Sequence, residues 1–200
     1  MRDDFSKEFN GHVLEYFDDE HIYLLDGVIV PSISRITKAT NPDQYAGISE
    51  EVLKRAASAG TAVHKAIEDW CIEGAESDLP ELRGFKFLQK HYKFEVMANE
   101  IPVAYFKDDK PFMAGRLDLL LMIDGKFGLA DIKRTSTLEK NNLAYQLNLY
   151  RIAYEQTYEQ KIEFLAGIHL HELTRKYVDI PLNDEIAFDA IDIYERAHKK

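Results

Sequence analysis

Cysteine is almost missing from this chain: Cys71 is the only one in 200 residues. That excludes an intramolecular disulfide framework and any zinc or iron–sulfur site built from the cysteines of one chain. A lone thiol fits a reducing compartment. Long apolar runs are missing too. No stretch approaches the roughly 18 residues that cross a bilayer, and none follows Met1-Arg2-Asp3-Asp4 as a secretory leader requires. The expectation is a cytoplasmic protein without membrane contact. Low-complexity segments, fixed-period repeats and a phosphate-gripping glycine–lysine loop are also lacking, so neither a solenoid nor a fused ATP-driven motor is expected. Positive charge is in short supply, with 25 Lys and Arg against 35 Asp and Glu and a net charge of −10. Such a balance disfavours a protein that coats nucleic acid through basic surface. It leaves room for an enzyme that grips a short piece of backbone locally, since an acidic metal site itself lowers the formal charge.

What is present reads as an ordinary globular chain, 46% hydrophobic and 30% charged, and long enough to bury a core without staples. One domain is expected over residues 1–200, with an N-terminal β-hairpin extension over 1–45 and a core over 49–200. Asp26-Gly27 between Ile22-Tyr23-Leu24-Leu25 and Val28-Ile29-Val30 predicts that hairpin. A short helix after Pro31-Ser32 and a turn at Asn41-Pro42-Asp43 follow. Ser49, ahead of Glu50 and Glu51, has the form of an N-cap, and its helix should run to about Cys71 and end near Gly74. Further elements are expected as a helix over 82–97, a strand over 99–106 with Pro102 at an edge or bulge, strands over 113–123 and 126–133, a helix over 140–156, strands over 162–170 and 177–182, and a C-terminal helix. Meander, helix and strand in this order predict a mixed α/β sheet flanked by helices.

The strongest chemical signal lies in the hairpin around Asp124-Gly125. With a two-residue turn there, Ile123 pairs with Lys126, and counting back sets Asp118 opposite Asp131 and Arg116 opposite Lys133. Asp131 and Lys133 share a face because side chains alternate along a strand. Leu117, Leu119, Leu121 and Ile123 should share the other face. Leucines on both faces predict a central, covered hairpin. Two opposed carboxylates in such a place repel each other, and a hard divalent cation relieves the repulsion. The same residues also read as an ion-pair knot, with Arg116 and Lys133 neutralising Asp118 and Asp131.

Asp118 with Asp131-Ile132-Lys133 resembles the core signature of PD-(D/E)XK nucleases. Gly60-Thr61-Ala62-Val63-His64 resembles the G-x-x-x-H motif of the RecB-like branch of that superfamily. Gly115-Arg116-Leu117-Asp118 resembles its G-x-x-D strand, and Gln146-Leu147-Asn148-Leu149-Tyr150 its Q-x-x-x-Y helix. The motifs follow the family's order across residues 60–150, and the segment Leu25-Asp26-Gly27 through Pro31-Ser32-Ile33 is similar to the lead-in of phage-type exonucleases in that branch.

The resemblance implies a restriction-endonuclease-like core and a metal-dependent deoxyribonuclease, and it favours exonuclease action, which nothing in the residues themselves decides. Asp118, Asp131, His64 and the Ile132 carbonyl would hold Mg²⁺ or Mn²⁺, one or two ions. Lys133 would be the catalytic lysine, and Gln146, Tyr150 and Arg116 would position DNA or brace the site. Glu68 and Glu100 are outer candidates, and Arg134, Lys140 and Arg151 are candidate phosphate contacts. DNA is the expected partner, and a homo-oligomer or a recombination partner protein is compatible with the family. Gly60, His64 and Glu68 fall on one helix face, where glycine would allow close approach. Taken singly, His64 is commoner as a hydrogen-bonded structural histidine, Glu68 as a solvated helix residue and Tyr150 as core. The alternatives are a catalytically silent nucleic-acid-binding or assembly module on the same fold, and a structural protein built around an ion-pair knot.

Overall fold

The computed structural model describes residues 4–199. Strands Phe5–Phe9 (β1), His12–Phe17 (β2), Ile22–Leu25 (β3) and Val28–Val30 (β4) form a four-stranded antiparallel sheet. The β3–β4 hairpin stands where Asp26-Gly27 predicts it, with both turn residues at positive φ, 52° and 74°. Two more strands precede it. Their signal was Asn10-Gly11, a second hairpin turn with φ of 48° and 82° between Phe9 and His12.

Helix α1 (Ile33–Thr40) follows, capped by the Ser32 hydroxyl accepting from the Arg35 N–H. Ile33 and Ile36 are fully buried in the main core, so the N-terminal addition ends at Val30 and α1 belongs to the body. Helix α2 (Glu50–Glu73) starts and stops as predicted: Ser49 accepts from the Val52 N–H, and Gly74 ends it in the left-handed conformation at φ 69°.

Helix α3 (Pro80–Tyr92) is shorter than expected. Lys93 turns left-handed at φ 55°, Phe94 is buried, and strand β5 (Glu95–Lys107) takes the residues that helical spacing had extended to 97. Strands β6 (Lys110–Ile123), β7 (Lys126–Lys133), β8 (Phe164–His171) and β9 (Thr174–Ile180) complete a five-stranded mixed sheet in the order β5-β6-β7-β8-β9. Its β7–β8 pair is parallel, joined through helix α4 (Lys140–Tyr158), and helix α5 (Asp184–His198) closes the chain. β5 is an edge strand, as Pro102 predicts, but its register shifts fall at Val96/Ala98 and Tyr105/Phe106 rather than at the proline.

The fold is thus mixed α/β, with helices on both faces of the central sheet. Leu120 and Leu129 pack with Ile33, Leu147 and Ile191 beneath α1, α4 and α5. Leu119, Leu121 and Ala130 pack with Val63, Ile67 and Phe85 beneath α2 and α3. A strand covered on both sides needs apolar residues at every position, which explains why Leu119-Leu120-Leu121 runs unbroken.

Candidate active site

The β6–β7 hairpin keeps its predicted register from Ile123–Lys126 to Leu119–Ala130, around a turn whose Asp124 and Gly125 have φ of 51° and 78°. The ladder then stops. Asp118 and Asp131, next in line, are not ladder partners. Beyond this point β7 keeps its parallel pairing with β8 as far as Lys133–His169. The Ile132 N–H donates at 2.7 Å to the Asp118 carboxylate, which sits in the mouth of the fork between the strands.

The other side of β6 is irregular at the same level. Asn99–Leu119 and Ile101–Leu117 pair, but Glu100 between them is left-handed at φ 48° and drops out of the ladder. An L-residue held there costs on the order of 1–3 kcal/mol. The alternation of faces breaks as well: Leu117 joins the α1–α4–α5 core while Leu119 joins the other. This corrects the placing of Leu117 on the face of Leu119. Arg116 is not paired with Lys133 either, since the β6–β7 ladder ends at Leu119–Ala130; its ladder partner is Pro102 of β5.

Helix α2 brings His64 to the fork, seated by Val63 and Ile67, the buried residues of that helix. His64 Nε2 lies 3.1 Å from the Ile132 carbonyl oxygen. Nδ1 lies 3.6 Å from Asp118 Oδ1 and 3.9 Å from Glu100 Oε1, buried and beyond hydrogen-bond reach of either. One ligand atom each from His64, Glu100 and Asp118 falls within 4.8 Å of the others. Glu100, ranked as an outer candidate from sequence, therefore belongs to the innermost group. No sequence signal marks it, because its placing depends on the break in β5.

Lys133 Nζ lies 2.7 Å from Asp131 Oδ2 and donates at 2.8 Å to Gln146 Oε1 on α4. Lys133 and Gln146 also border a pocket of about 200 Å³ lined by Lys38, Tyr45 and Thr135 among others. Tyr150, one turn beyond Gln146, is buried; its hydroxyl donates to the Arg116 carbonyl at 3.0 Å. Gly115 makes room for that ring, since a Cβ there would stand 2.9 Å from Tyr150 Cε1. Tyr150 thus braces β6 and presents no surface to a substrate. The Arg116 guanidinium is likewise turned inward, with Nε 3.1 Å from Glu100 Oε2 and the Phe5 and Tyr16 rings of the N-terminal sheet 5.6 and 5.5 Å from Cζ.

Several expected residues lie elsewhere. Glu68 pairs with Lys65 at 3.5 Å and is outside the His64 group. Gly60 faces open space, with nothing within 4 Å of a built Cβ, so the close approach expected of it does not occur. Arg134 is tied at 3.1 Å to the buried Glu81 of α3. Arg151 is buried between Glu155 and Asp184, so it is no phosphate contact; Lys140 starts α4 at an exposed position.

Charge at the fork is unbalanced towards the negative. Burial opposes a charged His64, yet Asp118, Glu100 and Asp131 outweigh it and raise the imidazole to about 9. Burial raises Asp118 to about 6, helped by repulsion from Asp131 and Glu100 and opposed by His64 and Lys133. Burial works against the Lys133 cation as well, but Asp131 and Asp118 hold it above its usual range. A site that pulls a proton onto its histidine in this way also attracts a cation. The donor set, two carboxylates, a carbonyl and one imidazole, fits Mg²⁺ or Mn²⁺.

No family model matches the chain, and no curated protein does. Among solved structures it is similar to the crystal structure of SSO0001, at 16% identity and a TM-score of 0.47, over 86% of this chain and 77% of that one.

Proposed function

We propose that this chain is a metal-dependent deoxyribonuclease with a restriction-endonuclease-like core, and that the β6–β7 fork is its active site. The observation that carries this reading is the meeting of His64, Glu100, Asp118 and the Ile132 carbonyl with Asp131 and Lys133 where the β6–β7 ladder ends. It joins residues from α2, β5, β6 and β7 that the sequence keeps far apart. A divalent cation bound there supplies Lewis acidity towards a phosphodiester and lowers the pKa of water.

The chain's own residues do the rest. Asp118, fixed by the Ile132 N–H, and Glu100 would hold the cation through carboxylate oxygens, and a neutral His64 would add a ring nitrogen. Lys133, held between Asp131 and Gln146, stands ready to orient an attacking water or to neutralise the charge growing on a phosphate oxygen. Gln146 fixes the rotamer of that lysine. Action on ends is favoured only by the likeness to phage-type exonucleases.

The ion pairs Lys133–Asp131 and Arg116–Glu100 favour a second reading, a structural knot. The test is Mn²⁺ titration followed by thermal melting, with linear DNA cleavage in parallel, for the wild type and Asp118→Asn. A concentration-dependent rise in melting temperature and cleavage, both lost in the variant, support the nuclease. Stabilisation and DNA binding without cleavage leave the silent module. No response to metal in either protein leaves the knot.

A further inference from the structure

The outer face of α3 is unlike the rest of this acidic chain. Arg83, Phe87, Lys90 and His91 recur at helical spacing and are all exposed, opposite the buried Leu82, Phe85 and Leu88. The helix carries a single carboxylate, Glu81, and that one is only 2% exposed and faces inward. A solvated helix face usually mixes both signs of charge. This one presents cations and rings alone, in a protein of net charge −10.

The rings are already arranged. Gly84 lets β9 close on the helix, a Cβ there standing 3.4 Å from Arg175 Cβ. The Arg175 guanidinium consequently reaches the Phe87 ring, 4.1 Å from its centroid. Phe87 and His91 stack at 5.8 Å with planes 8° apart, and Phe87 remains 48% exposed. Tyr92 continues the row by stacking on Tyr177 at 4.4 Å. Among the described residues no carboxylate pairs with Arg83, Lys90 or Arg175. The start of the helix is tied to the candidate active site, because Glu81 holds Arg134, the residue after Lys133.

We propose that the outer face of α3, continued by Arg175 of β9, is a binding track for single-stranded nucleic acid that guides the strand towards the fork at Asp118 and Lys133. Cations that meet no carboxylate take the phosphates, and the parallel Phe87 and His91 rings are extended by unpaired bases, whose faces are free only in a single strand. At about 1.5 Å per residue the helix is roughly 20 Å long, enough for several nucleotides. The inference rests on the reading of the chain as a nuclease, and the experiment separates the two.

Fluorescein-labelled dT20 is titrated in EDTA, followed by anisotropy, with the wild type, Phe87→Ala, Lys90→Glu and Arg175→Glu; heparin serves as a polyanion without bases. All three positions are exposed, and melting temperatures check that each variant is folded. Phe87→Ala should weaken dT20 binding about fivefold or more while leaving heparin unchanged. Lys90→Glu and Arg175→Glu should weaken both and flatten the salt dependence. The proposal is overturned if the wild type does not bind dT20 at low salt, or if Phe87→Ala and the charge variants leave its affinity unchanged. It is also overturned if Phe87→Ala affects heparin as strongly as dT20, which would mark a surface for acidic partners. Cleavage in Mg²⁺ is scored separately. Track-dependent binding without cleavage sinks the nuclease and keeps the track, whereas cleavage with indifferent variants does the reverse.

Discussion

At its turn the β6–β7 hairpin holds five consecutive pairs, Leu119–Ala130 to Ile123–Lys126, and sends successive residues into opposite cores. At its open end, one position further on, the ladder stops, the alternation of faces breaks at Asp118, and Glu100 on the neighbouring strand turns left-handed. The turn end follows hairpin rules throughout and carries no chemistry. The open end breaks those rules on both sides of one residue and gathers three carboxylates, a histidine and a lysine. Local irregularity that persists inside a covered sheet must be held by its surroundings, here by Tyr150 against Gly115 and by Arg116 against Glu100.

Substitutions at the two ends should separate stability from activity. Leu121→Ala at the fully buried turn end should cost about 2–5 kcal/mol of folding free energy and leave the catalytic constant of the surviving folded protein nearly unchanged. Asp131→Asn at the open end should lower cleavage at least a hundredfold with little change in melting temperature. Denaturant melts beside single-turnover cleavage decide. Should Asp131→Asn unfold the protein as severely as Leu121→Ala, the open end is structural and the contrast collapses.

A smaller effect is expected at Glu100, where the two ends compete within one residue. Glycine adopts φ 48° without steric penalty. Glu100→Gly should therefore match or exceed the wild-type stability without metal, by up to about 1 kcal/mol, while losing most of the stabilisation given by Mn²⁺. A loss of apo stability would mean that the Arg116–Glu100 ion pair matters more than the backbone conformation.

What was legible in the sequence follows the same division. Asp124-Gly125, Ser49 and Gly74 act through their own backbones and nearest neighbours, so they could be read directly. So could the leucines on both faces of β6, since a covered strand needs apolar residues throughout. His64, Asp118, Asp131, Lys133 and Gln146 were legible only as a set of spacings, which says who is present but not how they meet. Glu100 was not legible in its place beside His64 and Asp118, because its left-handed backbone between Asn99 and Ile101 has no local sequence mark. The β1–β2 pair is different in kind, because Asn10-Gly11 is a local turn signal of the same type as Asp26-Gly27.

A last expected effect is in pH dependence, and it distinguishes a proton from a cation at the open end. His64 is raised to about 9 from an ordinary 6.5, so its contribution to stability is complete below pH 6.5 and is lost as pH rises through 9. Asp118, raised to about 6 from 3.8, acts with the same sign at lower pH, losing its contribution between those values. In EDTA the melting temperature should therefore fall between pH 6.5 and 9, and fall less in His64→Gln. Mg²⁺ should oppose the trend, because a ligating imidazole must shed its proton, so the stabilisation by metal grows over the same interval. Equal slopes for the wild type and His64→Gln in EDTA would show that the proton is held elsewhere. A metal-induced shift that does not change from pH 6.5 to 9 would remove His64 from the ligand set, leaving Asp118, Glu100 and the Ile132 carbonyl to hold the cation without it.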